Sequence, residues 1–357
     1  MAKFFEVDFH EVGRNGSGDA ICIRYADDDG VEYVHVVDGG YTDDGEKVLN
    51  HIEAHYGNPG YVDHVVLTHP DGDHAAGLKK VLEEIAVGVL WLNRPWNHVD
   101  ALMPRFDYEY TRDGLIRRLR KDFPFTAALE EIAIAKGIEI REPLQGAQIG
   151  PFTVLAPSRD RYIELVVQSE KTPDEARKAM MEGTFFEKAV RYLKNVISEW
   201  GQENLKGETE GTSSENEVSV VQYAELCGEK ILLTGDAGIE ALQEAYQYAV
   251  ARGVQLPGID RFDVPHHGSR RNLSSDVLDL WLGPRLPTKP TTPSFTAIVS
   301  ANRNDENHPR KAVVRALIHR GAKVVETRGT IQTQRNAPDR EGWGPVTPLS
   351  YPSDMEE

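Results

Sequence analysis

The stretch His69-Pro70-Asp71-Gly72-Asp73-His74 follows directly on the apolar run His64-Val65-Val66-Leu67-Thr68. The run has the composition of a short buried β-strand, and the proline and glycine after it indicate a tight loop. Such a loop brings two imidazoles and two carboxylates close together. A mixed set of nitrogen and oxygen donors suits Zn²⁺, Mn²⁺ or Fe²⁺ better than Ca²⁺, which prefers oxygen ligands alone. The stretch therefore predicts a metal site, although a solvated acidic turn could carry the same residues.

Three further segments place histidine or aspartate at the end of a predicted strand. They are Leu233-Thr234-Gly235-Asp236, Pro265-His266-His267-Gly268-Ser269 and Asn307-His308-Pro309. Taken singly, Asp236 could cap the next helix and His308 could be an exposed loop residue. Adjacent histidines at a strand end are poor core material, because each buried imidazole needs a polar partner. Loops at one edge of packed sheets often carry catalytic groups, so the segments together favour a single functional site.

Length and composition limit the class of protein. The chain has 357 residues, a formal net charge of −17 and two cysteines. This length fits one large α/β domain with insertions, or two domains, and two cysteines exclude a disulfide framework and favour a reducing compartment. The sequence has no apolar run of the ~20 residues that a membrane helix needs, and its start does not resemble a signal peptide. We therefore expect a soluble, cytoplasmic protein, and the acidity weighs against long-range capture of nucleic acid.

Strand and helix patterns occur in two β-rich halves with helices outside them. This arrangement predicts an α/β fold, a four-layer αββα sandwich, in one domain over residues 1–335. Residues at about 160–215 interrupt the pattern with the charged amphipathic stretch Pro173–Trp200 and a segment rich in Glu, Gly, Ser and Thr. We interpret them as a helical surface insertion with a flexible end, which either covers the site or docks a partner or a second copy of the chain. Residues 336–357 form a C-terminal tail that is expected to fray.

The order of these motifs resembles the metallo-β-lactamase-fold metallohydrolases, whose usual signature is His-x-His-x-Asp-His. It is closest to the ComEC-type branch, the C-terminal hydrolase domain of a DNA-uptake competence protein, which has Asp in the second signature position, as Asp71 is here. The resemblance covers about residues 4–330, apart from 96–136 and 160–215. Further segments that carry it are Asp8-Phe9-His10-Glu11-Val12-Gly13, Gly18-Asp19-Ala20, Val37-Asp38-Gly39-Gly40, Asn216-x-x-Ser219, and Asn302 with His308-Pro309. It implies a metallo-β-lactamase sandwich with a helical insertion.

The resemblance also implies two divalent metal ions, Zn or Mn, and a set of ligands. His69 and Asp71 would serve one ion and Asp73 and His74 the other, and Asp236 would bridge both. One of His266 and His267 would complete the second site, with its neighbour beside the substrate.

The sequence departs from the wider family in two places. Asp71 replaces a histidine, which makes its site harder and favours Mn²⁺ over Zn²⁺. The family's third histidine has only one candidate in the interval between the signature and the bridging aspartate, His98 in Asn93-Arg94-Pro95-Trp96-Asn97-His98. If His98 is not a ligand, water would complete the first site.

The implied activity is that of a dinuclear metal-dependent hydrolase, a phosphodiesterase or nuclease that attacks with a metal-bridging hydroxide. Asp73 would orient the hydroxide. His308, or the member of the His266–His267 pair that is not a ligand, would give a proton to the leaving oxygen. The catalytic candidates are therefore Asp73, His267 and His308. The candidates for substrate binding are Arg270, Ser269 and Asn302, since a planar guanidinium suits a phosphate.

Two other functions stay open. The same metal pair supports hydrolysis of lactones, thioesters or other small esters, and a binding or regulatory module could keep the fold without the chemistry. The intact signature speaks against the module. The charge of −17 weighs against tight binding of long duplex DNA by this chain alone. The favoured substrate is a short or single-stranded phosphodiester or a nucleotide, with no membrane partner expected.

Overall fold

β-Strands make up the centre of the computed structural model, which describes residues 2–14, 16–106, 110–171, 196–197 and 199–356. Its strands are β1 (Phe4–Phe9), β2 (Ile21–Ala26), β3 (Glu32–Val37), β4 (Tyr61–Val66), β5 (Ala86–Trp91), β6 (Glu139–Arg141), β7 (Gln148–Ile149), β8 (Phe152–Ala156), β9 (Val196–Ile197), β10 (Val221–Leu226), β11 (Glu229–Leu233), β12 (Arg261–Asp263), β13 (Phe295–Val299), β14 (Ala322–Glu326), β15 (Ile331–Arg335) and β16 (Asp354–Met355).

The described α-helices lie mostly between strands. They are Asp44–His55, Gly72–Ala75, Leu78–Glu84, Val99–Leu102, Arg112–Asp122, Pro124–Lys136, Arg159–Lys171, Gly207–Glu210, Ser214–Glu217, Ile239–Ala251, Ser275–Leu282 and Lys311–His319. Short 3₁₀ turns occur at Pro95–His98, Met103–Arg105 and Pro265–Gly268. None of the described helices has the length and apolar character needed to cross a bilayer.

Two seven-stranded mixed sheets position the loops that carry the sequence motifs. One sheet has the order β15-β1-β2-β3-β4-β5-β6 and the other β14-β13-β12-β11-β10-β8-β7. Strands β3 to β6 are parallel in the first sheet, and β11 to β14 are parallel in the second. Because parallel strands end at the same edge, the loops that follow them collect at one side of each sheet.

The alternation of residues along the strands sorts the side chains into layers. Phe5, Val7 and Phe9 of β1 pack in the core between the two sheets, together with Phe152 and Val154 of β8 and Ile231 and Leu233 of β11. The outer face of the first sheet packs against helices that contribute Val48 and Leu82, and that of the second against helices that contribute Leu242 and Leu317. The layers run helix, sheet, sheet, helix. The predicted α/β four-layer αββα sandwich is therefore confirmed.

Helix Arg159–Lys171, which begins the predicted insertion, buries its apolar face within the chain. Tyr162, Leu165 and Val166 lie in one cluster with Trp96 and Leu115. This helix covers the segment that follows β5. The rest of the predicted amphipathic stretch, residues 172–195 and 198, lies outside the described residues, so the docking hypothesis stays a prediction.

Residues 201–216, expected to be flexible, pack on the body of the protein. The buried Arg315 guanidinium donates hydrogen bonds to the backbone carbonyls of Gln202, at 3.3 Å, and of Glu199 just before this segment, at 2.7 Å. The Glu203 carboxylate lies 2.8 Å from the Nδ1 of His319 and 2.9 Å from the guanidinium of Arg320. Burial raises the pKa of Glu203, but these contacts lower it overall. A buried carboxylate held in this way orders a segment whose composition alone predicts flexibility.

The C-terminal tail is also tied down, in contrast to the expectation of fraying. Arg340 donates to both carboxylate oxygens of Asp8, at 2.9 and 2.8 Å. The Glu356 carboxylate accepts hydrogen bonds from the N–H groups of Lys311 and Ala312, in the first turn of helix Lys311–His319. These N–H groups have no partner inside the helix, so the tail supplies one.

Replacing Arg340 with methionine tests the contribution of the tail. Asp8 and Glu6 are fully buried, and Arg340 lies within 2.9 Å of both. R340M leaves these carboxylates without one of their cations, so we expect the free energy of unfolding in urea at pH 7 to fall by about 3 kcal/mol. The exposed pair Arg14–Asp43 provides the control, and R14M should change that free energy by less than about 1 kcal/mol.

The pH dependence of the same variant provides a second check. Burial raises the pKa of Asp8, but the hydrogen bonds from His51 and Arg340 bring it down to about 2 from its ordinary 3.8. A carboxyl whose pKa is lowered by folding stabilises the fold above its unfolded pKa, and this stabilisation is lost as the pH falls towards the folded pKa. The difference between wild type and R340M should therefore narrow between pH 3.8 and pH 2. A constant difference would contradict the Arg340–Asp8 contribution.

Candidate metal centre

The ends of parallel strands deliver the site residues to one edge of the sandwich. Asp38 follows β3, segment 69–74 follows β4, Asp236 follows β11 and the pair His266–His267 follows β12. Strands β3 and β4 belong to one sheet and β11 and β12 to the other. The cluster is therefore assembled between the two sheets, where the carboxyl ends of open α/β sheets commonly bind ligands.

The turn Pro265–Gly268 directs two adjacent histidines to opposite sides of one carboxylate. His266 and His267 both have left-handed backbones, with φ of 48° and 56°. Side chains other than glycine rarely adopt this conformation, and such strain clusters at functional sites. The Nδ1 of His266 lies 3.7 Å from Asp236 Oδ2, and the Nε2 of His267 lies 3.9 Å from Asp236 Oδ1.

The first group of donors surrounds Asp236 Oδ2. This oxygen lies 3.6 Å from the Nε2 of His69, which in turn lies 3.8 Å from the Oδ2 of Asp71. His266 is on the same side of the carboxylate, but its Nδ1 accepts a hydrogen bond of 2.7 Å from the side-chain amide of Asn216. Its side chain is 29% exposed, whereas that of His69 is fully buried.

The second group surrounds Asp236 Oδ1. This oxygen lies 3.4 Å from the Nε2 of His74 and 3.9 Å from the Nε2 of His267. The Nε2 of His267 also lies 3.8 Å from Asp73 Oδ2, and the Nδ1 of His267 lies 3.7 Å from Asp19 Oδ1. Asp236 therefore has one oxygen in each of two neighbouring donor groups.

Several buried atoms of the cluster make no hydrogen bond within the described residues. They are Nε2 of His69 and His74, both ring nitrogens of His267, and Oδ1 of Asp19 and Asp236. Buried polar atoms without a partner are rare, and imidazole nitrogen with carboxylate oxygen is a donor set common to Zn²⁺ and Mn²⁺ sites. Ligand atoms lie within 4.8 Å of one another in three sets, Asp38-His69-His74, Asp73-His74-His267 and Asp19-Asp236-His267. The residues present fit a divalent metal centre.

Asp38 acts on this centre through His74. Its Oδ2 lies 2.7 Å from the Nδ1 of His74, and its carboxylate also accepts hydrogen bonds from the backbone N–H and the hydroxyl of Thr68. A carboxylate on one ring nitrogen fixes the tautomer of a histidine and directs the other nitrogen to a metal. Asp38 is therefore a positioning residue, and it leaves the Nε2 of His74 facing Asp236.

The charges of the cluster favour protonated imidazoles next to ionised carboxylates. Burial lowers the pKa of His267, but the negative charges of Asp236, Asp73 and Asp19 outweigh burial and raise this pKa to about 9. Burial raises the pKa of Asp73, but the neighbouring imidazoles of His267 and His74 bring it to about 2. A metal ion that binds here must displace the protons on the imidazoles.

His308 lies at the rim of the cluster. Its ring centroid is 6.1 Å from those of both His266 and His267. Its Nδ1 lies 3.0 Å from the Oδ2 of Asp305, which also accepts a hydrogen bond of 2.7 Å from the hydroxyl of Ser17. Asp305 thereby fixes the orientation of a partly exposed histidine beside the cluster.

The predicted substrate-binding residues have mixed positions. Asn302 is buried, and its amide donates to the backbone carbonyls of Val12 and Gly13 at 2.9 and 3.0 Å. Its amide therefore holds two loops together, and its role in substrate binding stays a prediction. Ser269 is buried as well, whereas Arg270 is partly exposed directly after the turn that carries the two histidines.

His98 is not brought to the cluster. It lies in the turn Pro95–His98, where its Nε2 is 3.2 Å from the Glu142 carboxylate and its ring packs on Tyr162 of helix Arg159–Lys171. It belongs to none of the three sets of close ligand atoms among the described residues. The covering helix and Glu142 account for its position, and neither could be inferred from its spacing to the signature.

Asp19, Asp38 and Asn216 also lie at the cluster, and the sequence alone assigned them no role. Each lies in a segment that was used only to establish the resemblance. Asp19 stands between Gly18 and Ala20, and Asp38 stands before Gly39 and Gly40. An acidic residue next to a glycine, before an apolar run at Asp19 and after one at Asp38, is the only local indication that these two residues share.

Replacing Asp38 with asparagine tests its positioning role. An amide in place of the carboxylate weakens the orientation of His74, so we expect the affinity for Zn²⁺ or Mn²⁺ to fall about 10- to 100-fold in a chelator competition titration. Asp260 is the matched control, because its carboxylate accepts a backbone N–H of Lys230 away from the cluster. D260N should leave metal affinity unchanged, and an equal loss in both variants would contradict the assignment.

Metal binding should also release protons. The pKa of His267 is about 9 and that of His74 is raised well above its usual range, despite burial, so both imidazoles are protonated in the metal-free protein at pH 7. Calorimetric titration with Zn²⁺ in buffers of different ionisation enthalpy should show more than one proton released per chain at pH 7. The release should decrease as the pH rises through about 9, since His267 is then already neutral.

Comparisons with known proteins place the fold. Residues 15–151 match the family model of the metallo-β-lactamase superfamily. No curated protein matches the chain significantly. Among solved structures, the chain is similar to a diphosphatase from the PhnP family, with 12% identity, 92% of this chain and 97% of that chain covered, and a TM-score of 0.37. It is also similar to Zn²⁺-bound PqqB from Methylobacterium extorquens, with 12% identity, 91% and 99% covered, and a TM-score of 0.39.

A third solved structure matches over a shorter length. The hydrolase AbOPH of the β-lactamase superfamily has 15% identity, with 61% of this chain and 56% of that chain covered, and a TM-score of 0.30. The family-model match and the two mixed sheets flanked by helices agree with each other. The chain has the fold of the metallo-β-lactamase superfamily.

Proposed function

We propose that the protein is a dinuclear metal-dependent hydrolase that cleaves phosphodiesters, of short or single-stranded nucleic acid or of nucleotides. The observation that carries this proposal is the position of Asp236, which has one oxygen in each of two groups of histidines and aspartates. A carboxylate between two donor groups is the arrangement expected of a bridging ligand. The resemblance to the ComEC-type branch supports a phosphodiester over other esters.

Two sets of residues would hold the ions. The first set is His69, Asp71 and Asp236, with water in the remaining positions. The second is His74, His267, Asp236 and Asp73, with Asp19 close to His267. His267 is the better ligand of the adjacent pair, because both of its ring nitrogens are buried and unpartnered, whereas Nδ1 of His266 is engaged by Asn216. Two carboxylates in the first set agree with a harder ion such as Mn²⁺.

Two divalent ions, when bound, lower the pKa of a water molecule and offset the charge that develops on a phosphoryl group. The chain itself contributes orientation and proton transfer. Asp73 accepts a hydrogen bond from the attacking water and directs it towards the phosphorus atom. His266 faces the substrate, a position that the sequence left open between His266 and His267. Because its Nδ1 accepts from Asn216, neutral His266 carries its proton on Nε2 and can donate it to a phosphoryl oxygen.

His308 is the proposed proton donor to the leaving oxygen. The carboxylate of Asp305 engages its Nδ1 and fixes the orientation of the ring, so Nε2 is the nitrogen available for proton transfer. Arg270, two residues beyond Gly268, is the proposed cation for the phosphate. These roles make the rim formed by His266 and His308 the side on which the leaving group departs.

Hydrolysis assays separate this proposal from its alternatives. The purified protein loaded with Mn²⁺ or Zn²⁺ should hydrolyse bis-p-nitrophenyl phosphate and short single-stranded oligonucleotides, and it should leave a panel of lactones and thioesters intact. Turnover of the lactones or thioesters alone would favour the small-ester hydrolase. Fewer than one metal ion per chain and no turnover of any substrate would favour the non-catalytic module.

A variant of His308 tests the proton donor. H308Q should lower kcat for bis-p-nitrophenyl phosphate by roughly 10²-fold or more, because general acid catalysis contributes on that order. Metal content, measured by mass spectrometry, should stay at the wild-type value. His55 is a partly exposed histidine outside the cluster, so H55Q is the matched control and should keep wild-type kcat. A normal kcat in H308Q would remove His308 from the mechanism.

A further inference from the structure

An open groove lined by two aromatic side chains begins at Asp73. Its volume is about 590 Å³, and its lining includes Tyr41, Asp43, Gly72 and Phe125. The cavity between His69 and helix Arg159–Lys171 is much smaller, about 20 Å³, which is the size of roughly one water molecule. Of these two spaces next to the proposed ligands, only the groove can admit a ring system attached to a substrate.

Tyr41 is an exposed aromatic residue held in a fixed position. Its side chain is 38% exposed. Its hydroxyl donates a hydrogen bond of 3.1 Å to the carbonyl of Ser17, and its N–H donates one of 3.1 Å to Asp44. A Cβ added at Gly13 would meet the ring at 2.8 Å, so the backbone there lies directly against one part of the ring. A ring that is already immobilised loses little conformational entropy when a ligand stacks on it.

Phe125 provides the second aromatic surface of the groove. A Cβ added at Gly72 would lie 3.1 Å from two carbons of the ring, so the ring rests on the backbone of the signature loop. The ammonium of Lys79 lies 5.1 Å from the ring centroid. The Phe125 side chain is only partly buried, and part of its ring remains accessible in the groove.

The chemistry of the lining distinguishes between possible ligand groups. Asp43 and Asp73 are the charged residues that line the groove, so the lining repels a phosphate group. Flat aromatic surfaces suit a neutral planar ring, and stacking of bases on aromatic side chains is tolerant of sequence because every base has a π-face. A base can enter only when it is not already stacked and paired within a duplex.

We propose that the groove between Tyr41 and Phe125 is a nucleobase subsite, in which a base next to the scissile phosphate stacks without selection among bases. This proposal rests on the proposed function, because it assumes that the phosphate lies at the metal centre. It narrows the substrate class to nucleotides and single-stranded nucleic acid, since a phosphodiester without a flat ring would leave the groove empty.

Equilibrium binding tests the subsite without relying on turnover. Thymidine 5′-monophosphate and 2-deoxyribose 5-phosphate share the sugar and phosphate but differ in the base. With the metal-loaded protein, calorimetry should show thymidine 5′-monophosphate binding about tenfold more tightly. F125L and Y41L each keep an apolar side chain but remove the ring, and both should bring this ratio towards one. F125W should restore it, because an indole also stacks.

Tyr61 provides the matched control, since it is 45% exposed and does not line the groove. Y61L should keep the wild-type ratio. Equal binding of the two ligands by the wild type, or an unchanged ratio in both F125L and Y41L, would overturn the subsite. The unfolding temperature of each variant shows whether a smaller ratio of affinities reflects loss of the fold. If F125L is unstable, the test is whether F125W binds the two ligands with the wild-type ratio of affinities.

The two proposals fail in different ways. If no phosphodiester is hydrolysed but the binding ratio and its loss in the variants are observed, the proposed hydrolysis is wrong and the base subsite stands. If phosphodiesters are hydrolysed but the ratio is one, the subsite is wrong and the hydrolase stands.

Discussion

The buried carboxylate of Asp236 is the group around which the rest of the site is arranged. It is 3% exposed, and four imidazoles, those of His69, His74, His266 and His267, lie within 3.4 to 3.9 Å of its two oxygens. A buried charge without partners is too costly to persist, so the carboxylate requires either protonated imidazoles or metal ions around it. These imidazoles come from loops of both sheets. The stabilisation of the Asp236 carboxylate therefore depends on the position of the two sheets relative to each other at this edge.

This requirement explains the strain and the supporting contacts near the cluster. The left-handed backbones of His266 and His267 are unfavourable by themselves and persist because the surrounding contacts determine them. Each of three histidines is fixed by one hydrogen bond at Nδ1. The Asp38 and Asp305 carboxylates accept from His74 and His308, and the Asn216 amide donates to His266. Each of these histidines thus has one nitrogen engaged by the protein and the other left for the centre or for a substrate. Histidine ligands of metal sites are oriented in the same way, by a partner on the nitrogen that does not bind the metal.

The parts of this arrangement that were predictable from sequence are those with a local cause. The signature segment 69–74, Asp236 and the histidine pair each follow an apolar run directly, so the strand and its terminal ligand can be inferred together. The contacts of Asp19 and Asp38 with the cluster, and that of His98 with Glu142, depend on which loops lie next to each other in the fold. A single sequence does not specify that. The position of Asn302 after β13 was evident, but its contacts with the carbonyls of Val12 and Gly13 join residues about 290 positions apart.

Composition was least informative where a few buried ion pairs determine the structure. Residues 201–216 and the tail look flexible by their glycine, proline and charge content. Glu203, Arg315 and Arg340 nevertheless make buried polar contacts that hold these segments to the body of the protein. Propensity averages over a segment, whereas one buried charge with its partners can fix the whole of it. Composition was also a poor guide to helix Arg159–Lys171. Its apolar residues pack against other parts of the chain.

The net charge of −17 limits how such a site can bind a polyanion. The long-range electrostatic interaction between this acidic protein and a polyanion is weak or repulsive. The affinity must therefore come from short-range contacts that form after the two molecules meet. Metal ions at the donor groups around Asp236 would supply local positive charge for one phosphate, and the Tyr41–Phe125 groove would supply stacking for one base. Neither contact grows with the length of the nucleic acid, whereas the repulsion from exposed carboxylates does. The proposed arrangement would therefore favour small or single-stranded substrates, for the same physical reason that the composition disfavours long duplexes.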